Sequence, residues 1–186
     1  MTSATLQSRV RNMDRLSSAR FGFLPFLALL LMLAHSTVAQ QKAGKSNDFK
    51  LKIDGDVAKP LEFSMDELAK LPQREARAKE HDGSEHVYRG VAISDLLQAA
   101  GVAFGDQLRG ANLARFLLVQ AADGYRAVFA LPELDPAFTE GLVLLVYSRD
   151  GAPLSEKDGP LRIVVPREKR QARWVRQVIA LTMRRA

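Results

Sequence analysis

The chain has 186 residues, 47% of them hydrophobic and 26% charged, and a formal net charge of +6. That composition suits one globular domain and excludes a disordered chain. The absence of cysteine excludes disulfides, thiolate nucleophiles, thiolate metal ligation and iron–sulfur clusters together.

The N-terminal stretch reads as an address. Arg9, Arg11, Arg15 and Arg20 face one acid, Asp14, and precede the apolar run Phe21 to Ala34. Those 14 residues fall short of the roughly 20 that span a bilayer. Thr37-Val38-Ala39 places small residues where a signal peptidase reads. Residues 1–39 are therefore expected to be a secretory signal peptide cleaved after Ala39. No two arginines are adjacent in this segment, so a Sec-type route to the periplasm or another exported space is expected. Cleavage leaves 147 residues with a net charge of +3. So modest a balance argues against a nucleic-acid partner, and no further segment reads as transmembrane.

Gln40 to Asn47, polar and rich in Lys, Gly and Ser, is a flexible leader, and residues 48–186 form the domain. Phe49, Leu51 and Ile53 alternate with polar residues, which predicts a strand with one buried face. Asp54-Gly55-Asp56 turns it, and Leu61 and Phe63 start a second strand. Ser64, with Glu67 three residues on, predicts a capping box for a short helix that Pro72 stops. Arg74 to Glu80 reads as a charged edge strand, and His81-Asp82-Gly83 as a turn into His86-Val87-Tyr88. Ser94 is the expected N-cap of a helix over Asp95 to Ala100, with Gly101 as its stop. Phe116 to Ala121 and Tyr125 to Leu131 form a hairpin about Asp123-Gly124. Pro132 to Phe138 is a loop or one helical turn. Leu142 to Tyr147 is a strand buried on both faces. Arg162 to Val165 and Val178 to Met183 are the last strands. The sum is an α+β domain, mostly β in mixed sheets with short helices.

Four segments then carry a resemblance. Tyr88-Arg89-Gly90-Val91 before Ile93-Ser94-Asp95-Leu96-Leu97 resembles a "GV-x-L-x-DLL" motif. Asp123-Gly124-Tyr125 resembles a shared hairpin. Gly159 to Pro166 resembles "G-x-P-x-R-x-x-x-P", and Arg173-Trp174-Val175 resembles a "K-W" element before the final strand. In this order they resemble the oxidoreductase molybdopterin-binding domain, the fold of sulfite oxidase, over roughly Phe49 to Met183. The resemblance implies a pterin-binding region that includes Arg162, Arg173, Trp174 and Tyr125. It also implies molybdenum held by a cysteine between the first helix and the "GV" segment. Here that stretch, Arg74 to Tyr88, has none, and Lys157 and Asp158 stand where sulfite oxidase has a histidine. Arg162 matches the family arginine, whereas Arg173 keeps only the charge of the family lysine.

His81, Asp82 and His86 are the candidates for a non-thiolate metal environment, with Glu80 and Glu85 close in sequence. The same residues also read as an exposed polar turn between edge strands. From Arg162 onward Arg162, Arg167, Lys169, Arg170, Arg173, Arg176, Arg184 and Arg185 face only Glu168. They suit an anionic ligand or form a solvated basic face able to meet lipid headgroups. Trp174 is more often core than a ligand platform. No serine sits in a nucleophile elbow. The expected function is an exported, non-catalytic binding protein for a small, pterin-like anionic ligand or a protein partner. The alternative is a periplasmic molybdopterin-dependent oxidoreductase with a non-cysteine metal environment and a separate redox partner.

Overall fold

The structure, a computed structural model, describes residues 49–186; the expected signal peptide and leader lie outside the described residues. β1 (Leu51–Gly55) alternates buried Leu51 and Ile53 with polar residues, the period-two pattern of a half-buried strand. It lies between β2 (Leu61–Phe63), antiparallel, and β10 (Val178–Arg185), parallel. Gly55 ends β1 at φ 87°, a conformation that costs glycine little.

α1 (Met65–Lys70) starts on the expected capping box. The Glu67 backbone N–H donates to Ser64 Oγ at 3.3 Å, and the Ser64 N–H donates to Glu67 Oε2 at 2.8 Å. Replacing Ser64 by alanine is expected to lower domain stability by about 1 kcal/mol. Urea unfolding with an unchanged denaturant slope is the check.

β3 (Gln73–Lys79) and β4 (Glu85–Ala92) form a hairpin. β3 is the edge of its sheet, with Arg74, Glu75, Arg77 and Lys79 exposed, as its alternating charge predicted. β4 runs directly into α2 (Ile93–Ala99). Here one expectation fails: the N-cap is Ala92, with no side-chain cap, and Ser94 lies inside the helix and is buried. The reason is tertiary. The Ile93 N–H donates to the Val143 carbonyl at 3.0 Å, which satisfies one orphan amide of a helix that starts a residue before Ser94 and winds that serine into its first turn. The C-terminus is as expected. Gly101, at φ 79°, donates to Gln98 O, and Val102 donates to Leu97 O, the paired bonds of a Schellman motif.

β5 (Arg115–Ala121) and β6 (Arg126–Ala130) form the hairpin about Asp123-Gly124. A single 3-10 turn, Leu131–Leu134, follows. β7 (Leu144–Arg149) pairs with β4 on one side and with β8 (Ala152–Pro153) and β9 (Arg162–Val164) on the other. That position explains its buried run Leu144 to Val146.

One sheet has the order β2-β1-β10-β5-β6; the other runs β3-β4-β7-β8 with β9 on β7. Among the described residues only the β1–β10 pair is parallel. Leu51, Ile53, Leu117, Val119 and Leu181 of the first sheet share one core with Tyr88, Leu144, Val146 and Ile163 of the second and with Leu96 and Leu97 of α2. The domain is thus α+β and mostly β, as expected. Among the described residues no helix is long and apolar enough to cross a membrane.

Candidate functional site

The strand pairings assemble a polar cluster inside this apolar frame. β7 lies between Tyr88 of β4 and Arg162 of β9, through the registers Tyr88↔Arg149 and Val146↔Arg162. Glu80 follows the last residue of β3. The Arg162 side chain is 3% exposed and that of Glu80 17%, so both charges are withdrawn from water and need partners. They find each other. Arg162 Nη1 donates to Glu80 Oε1 at 2.7 Å and Nη2 to Oε2 at 3.2 Å, a two-pronged fork. The Tyr88 hydroxyl, on a fully buried ring, also donates to Glu80 Oε1.

Trp174 completes the cluster. The Arg162 guanidinium carbon lies 5.4 Å from its ring centroid, in cation–π range. The Tyr88 and Trp174 rings meet edge to face at 6.1 Å. Asp158 is a second, longer partner of Arg162 at 3.8 Å and itself pairs with Arg176 at 3.2 Å. Two donors in the cluster, Arg162 Nε and Trp174 Nε1, are buried with no acceptor.

Burial pushes the Glu80 carboxyl up, but hydrogen bonds from Arg162 and Tyr88 and the charges of Arg162 and Arg149 outweigh it and hold the group below its ordinary 4.5. Burial, then the bond to Glu80, pushes the Tyr88 phenol up to about 12. A carboxyl depressed on folding stabilises the fold in full above its unfolded value, and that contribution is lost as pH falls through the depressed one. Stability is therefore expected to fall on acidification below about pH 4.5. Urea midpoints measured from pH 7 to pH 3 check this. The Glu80→Gln variant should lose less over the same range, and parallel curves would show that Glu80 contributes nothing.

The site residues named from sequence separate into three places. Arg162 and Trp174 come together. Arg173, next in the chain to Trp174, belongs elsewhere: it pairs with Glu133 at 2.9 Å and with Glu168, and its guanidinium covers Phe129 at 4.4 Å. Tyr125 is half exposed and donates its hydroxyl to the Ala172 carbonyl at 2.6 Å. It ties the hairpin tip to the turn that carries Arg173. In the rest of the basic stretch Arg167 is matched by Glu140, Arg176 by Asp158 and Arg185 by Asp56.

His81, Asp82 and His86 also part company. His81 is exposed. His86 Nδ1 lies 2.6 Å from Asp150 Oδ2 and its Nε2 lies 3.0 Å from Ser84 Oγ, while Ser84 Oγ donates to Asp82 Oδ1 at 2.6 Å. Among the described residues no three His, Asp or Glu side chains converge on a common metal position. The order Ser84–His86–Asp150 has the spacing of a nucleophilic triad but not its proton inventory. The Ser84 hydroxyl donates to Asp82 and not to the imidazole, so His86 does not stand as its base. The backbone N–H of Val87 and then His86 hold the Asp150 carboxyl below its usual range.

Glu80 opens on a cleft of about 350 Å³ lined by Lys79, Glu80, His81, Gly83, Pro166, Glu168, Lys169 and Gln171. Gln171 bridges its walls by donating to the Lys79 carbonyl at 2.8 Å. Lys79 and Lys169 have no carboxylate partner among the described residues. Sequence reasoning missed Glu80 as the partner of Arg162, because nothing local marks a pair 82 residues apart. It also missed Asp150, whose partner His86 lies 64 residues away in the chain.

Among solved structures the chain is similar to the sulfane dehydrogenase SoxCD from Paracoccus pantotrophus, at 23% identity and a TM-score of 0.59. The match covers 74% of this chain and 38% of that one, so the likeness is one of fold. The family model described as "Oxidoreductase molybdopterin binding domain" matches residues 35–185. With that match over nearly the whole described domain, and the sheet order to accompany it, the chain belongs to the oxidoreductase molybdopterin-binding domain family.

Proposed function

We propose that this chain is an exported binding domain that keeps the sulfite-oxidase fold without molybdenum catalysis and holds a small anionic organic ligand at the cleft mouth. The observation that carries the reading is the buried Glu80–Arg162 pair. The arginine that the family resemblance assigns to the cofactor already has a full internal counter-ion. The donor set points the same way. Molybdenum bound by a protein thiolate needs a soft ligand, and the chain has no cysteine. His86, the nearest imidazole alternative, has both ring nitrogens engaged by Ser84 and Asp150. The residues present do not fit a protein-ligated molybdenum centre, and no catalytic step is assigned to one.

What remains available at the cleft is charge of the opposite kind. Glu80 and Glu168 are matched by Arg162 and Arg173, while Lys79 and Lys169 are left for an incoming anion. The test uses the chain with its own N-terminal segment, expressed in a molybdate-fed host and recovered from the periplasm. Elemental analysis for molybdenum, pterin fluorescence and native mass spectrometry are then read together. The expected result is recovery in the periplasmic fraction, no stoichiometric metal, and a bound small anion that is lost in the Lys79→Ala/Lys169→Ala variant. Cytoplasmic retention, or a native chain with no bound small molecule, would overturn the reading.

The family membership favours one second reading, a molybdopterin-dependent oxidoreductase with a separate redox partner. Stoichiometric metal and pterin in the same preparation would establish it in place of the first.

A further inference from the structure

Glu80 Oε1 accepts from Arg162 Nη1 and the Tyr88 hydroxyl, and Oε2 accepts from Arg162 Nη2. Beside them two buried donors, Arg162 Nε and Trp174 Nε1, have no acceptor. Arg162 and Trp174 are 3% and 4% exposed, and both reside in the same cluster. Leaving buried donors unpaired is costly. The cluster thus offers more hydrogen-bond donors than its resident carboxylate engages. Arg149 adds a further positive charge near Glu80. Against this stands Asp158, at 3.8 Å from Arg162, whose charge is shared with Arg176.

We infer that Glu80 is a built-in plug, a side chain that fills a latent site for a tetrahedral oxyanion of the sulfate or phosphate class formed by Arg162, Tyr88 and Trp174. A tetrahedral oxyanion matches the arginine fork as a carboxylate does. It brings additional acceptor oxygens for the donors that Glu80 leaves unused. Because Glu80 is covalently tethered, it excludes free oxyanions at any concentration where its own effective concentration is higher. The plug therefore determines specificity. It keeps the interior arginine from free sulfate and phosphate and confines binding to the lysines at the cleft mouth. The inference deepens the binding-domain reading and rests on it for its biological sense. Its test is separable, because it asks what a variant gains and not what the native chain holds.

The experiment compares the native chain with Glu80→Ala, Glu80→Gln and Glu80→Ala/Arg162→Ala. Each is titrated with sodium sulfate by calorimetry and melted in sulfate against chloride at matched ionic strength. The expected result is saturable sulfate binding by Glu80→Ala at least tenfold tighter than by the native chain. A sulfate-specific rise in its melting temperature should accompany it, and both gains should vanish in the double variant. A Glu80→Ala chain that folds in sulfate but not in chloride supports the inference equally. If that variant folds in neither, Glu80→Gln decides, since it keeps the shape and removes the charge. Folded variants that bind sulfate no better than the native chain overturn the inference. So does a gain that survives loss of Arg162, because the anion would then sit elsewhere.

Discussion

Replacing Arg162 by alanine is expected to destabilise the domain by about 3–5 kcal/mol, the cost of removing one partner from a buried ion pair. Two features of the site set the size. The Arg162 side chain is 3% exposed, so little solvent screens what is lost. Glu80 would keep its charge in a largely buried position with only the Tyr88 hydroxyl to satisfy it. Removing Glu80 as well deletes that orphan charge. The Glu80→Ala/Arg162→Ala variant should therefore be less destabilised than the sum of the two single changes, the signature of directly coupled residues. Urea unfolding followed by circular dichroism and by the fluorescence of the sole tryptophan, Trp174, measures all three. A loss under about 1 kcal/mol in Arg162→Ala, the range of exposed pairs, would show that the pair is solvated and that the cluster is no interior site.

The second large effect is expected at Gly90. β4 slips its register against β7 between Arg89 and Gly90, and at that step the two backbones come too close for a side chain. A Cβ on Gly90 would overlap the Leu145 carbonyl oxygen and sit 2.6 Å from Val146 Cα. These are backbone atoms of a buried central strand, which cannot move aside as a flexible side chain would. Gly90→Ala should cost about 3 kcal/mol, the upper end of overpacking penalties. It should also lower the melting temperature more than Gly124→Ala in the exposed hairpin turn, where an added Cβ meets nothing within 4 Å. Equal losses in the two variants would mean that the strand contact at Gly90 costs no more than the positive φ of 87° at Gly124. The same contact gives a physical reason for the glycine of the "GV" segment on which the family resemblance rests.

Much of the fold was legible because its signals are local. Ser64 and Glu67 are three residues apart and satisfy one helix turn between them. Gly101 and Val102 close α2 on carbonyls within the same helix. The Asp123-Gly124 turn and the alternation of β1 and β3 need no information beyond their own neighbours. Ser94 shows where locality ends. It has the residue type of a cap, yet the helix already starts at Ile93, whose amide a carbonyl at Val143 satisfies, and Ser94 falls inside it. The site was less legible for the same reason. Basic residues could be counted along the C-terminal stretch, but whether each was free depended on acids at Glu80, Glu133, Glu140 and Asp56, in other elements.

Read alone, the sequence determined the α+β class, the order of the strands along the chain, the family and the absence of a thiolate. The class, the strands and the missing thiolate follow from residue types, short-range hydrogen-bond chemistry and hydrophobic period, all of which act over a few residues, and the family from the resemblance of four motifs. Only the tertiary structure decided that Arg162 faces Glu80 and Tyr88, that Arg173 and Tyr125 belong to another part of the surface, and that His86 sits between Ser84 and Asp150 and away from His81. A buried charge takes whichever partner the strand pairing brings within about 3 Å of it. That choice is made by the registers of β4, β7 and β9, across 82 residues of chain.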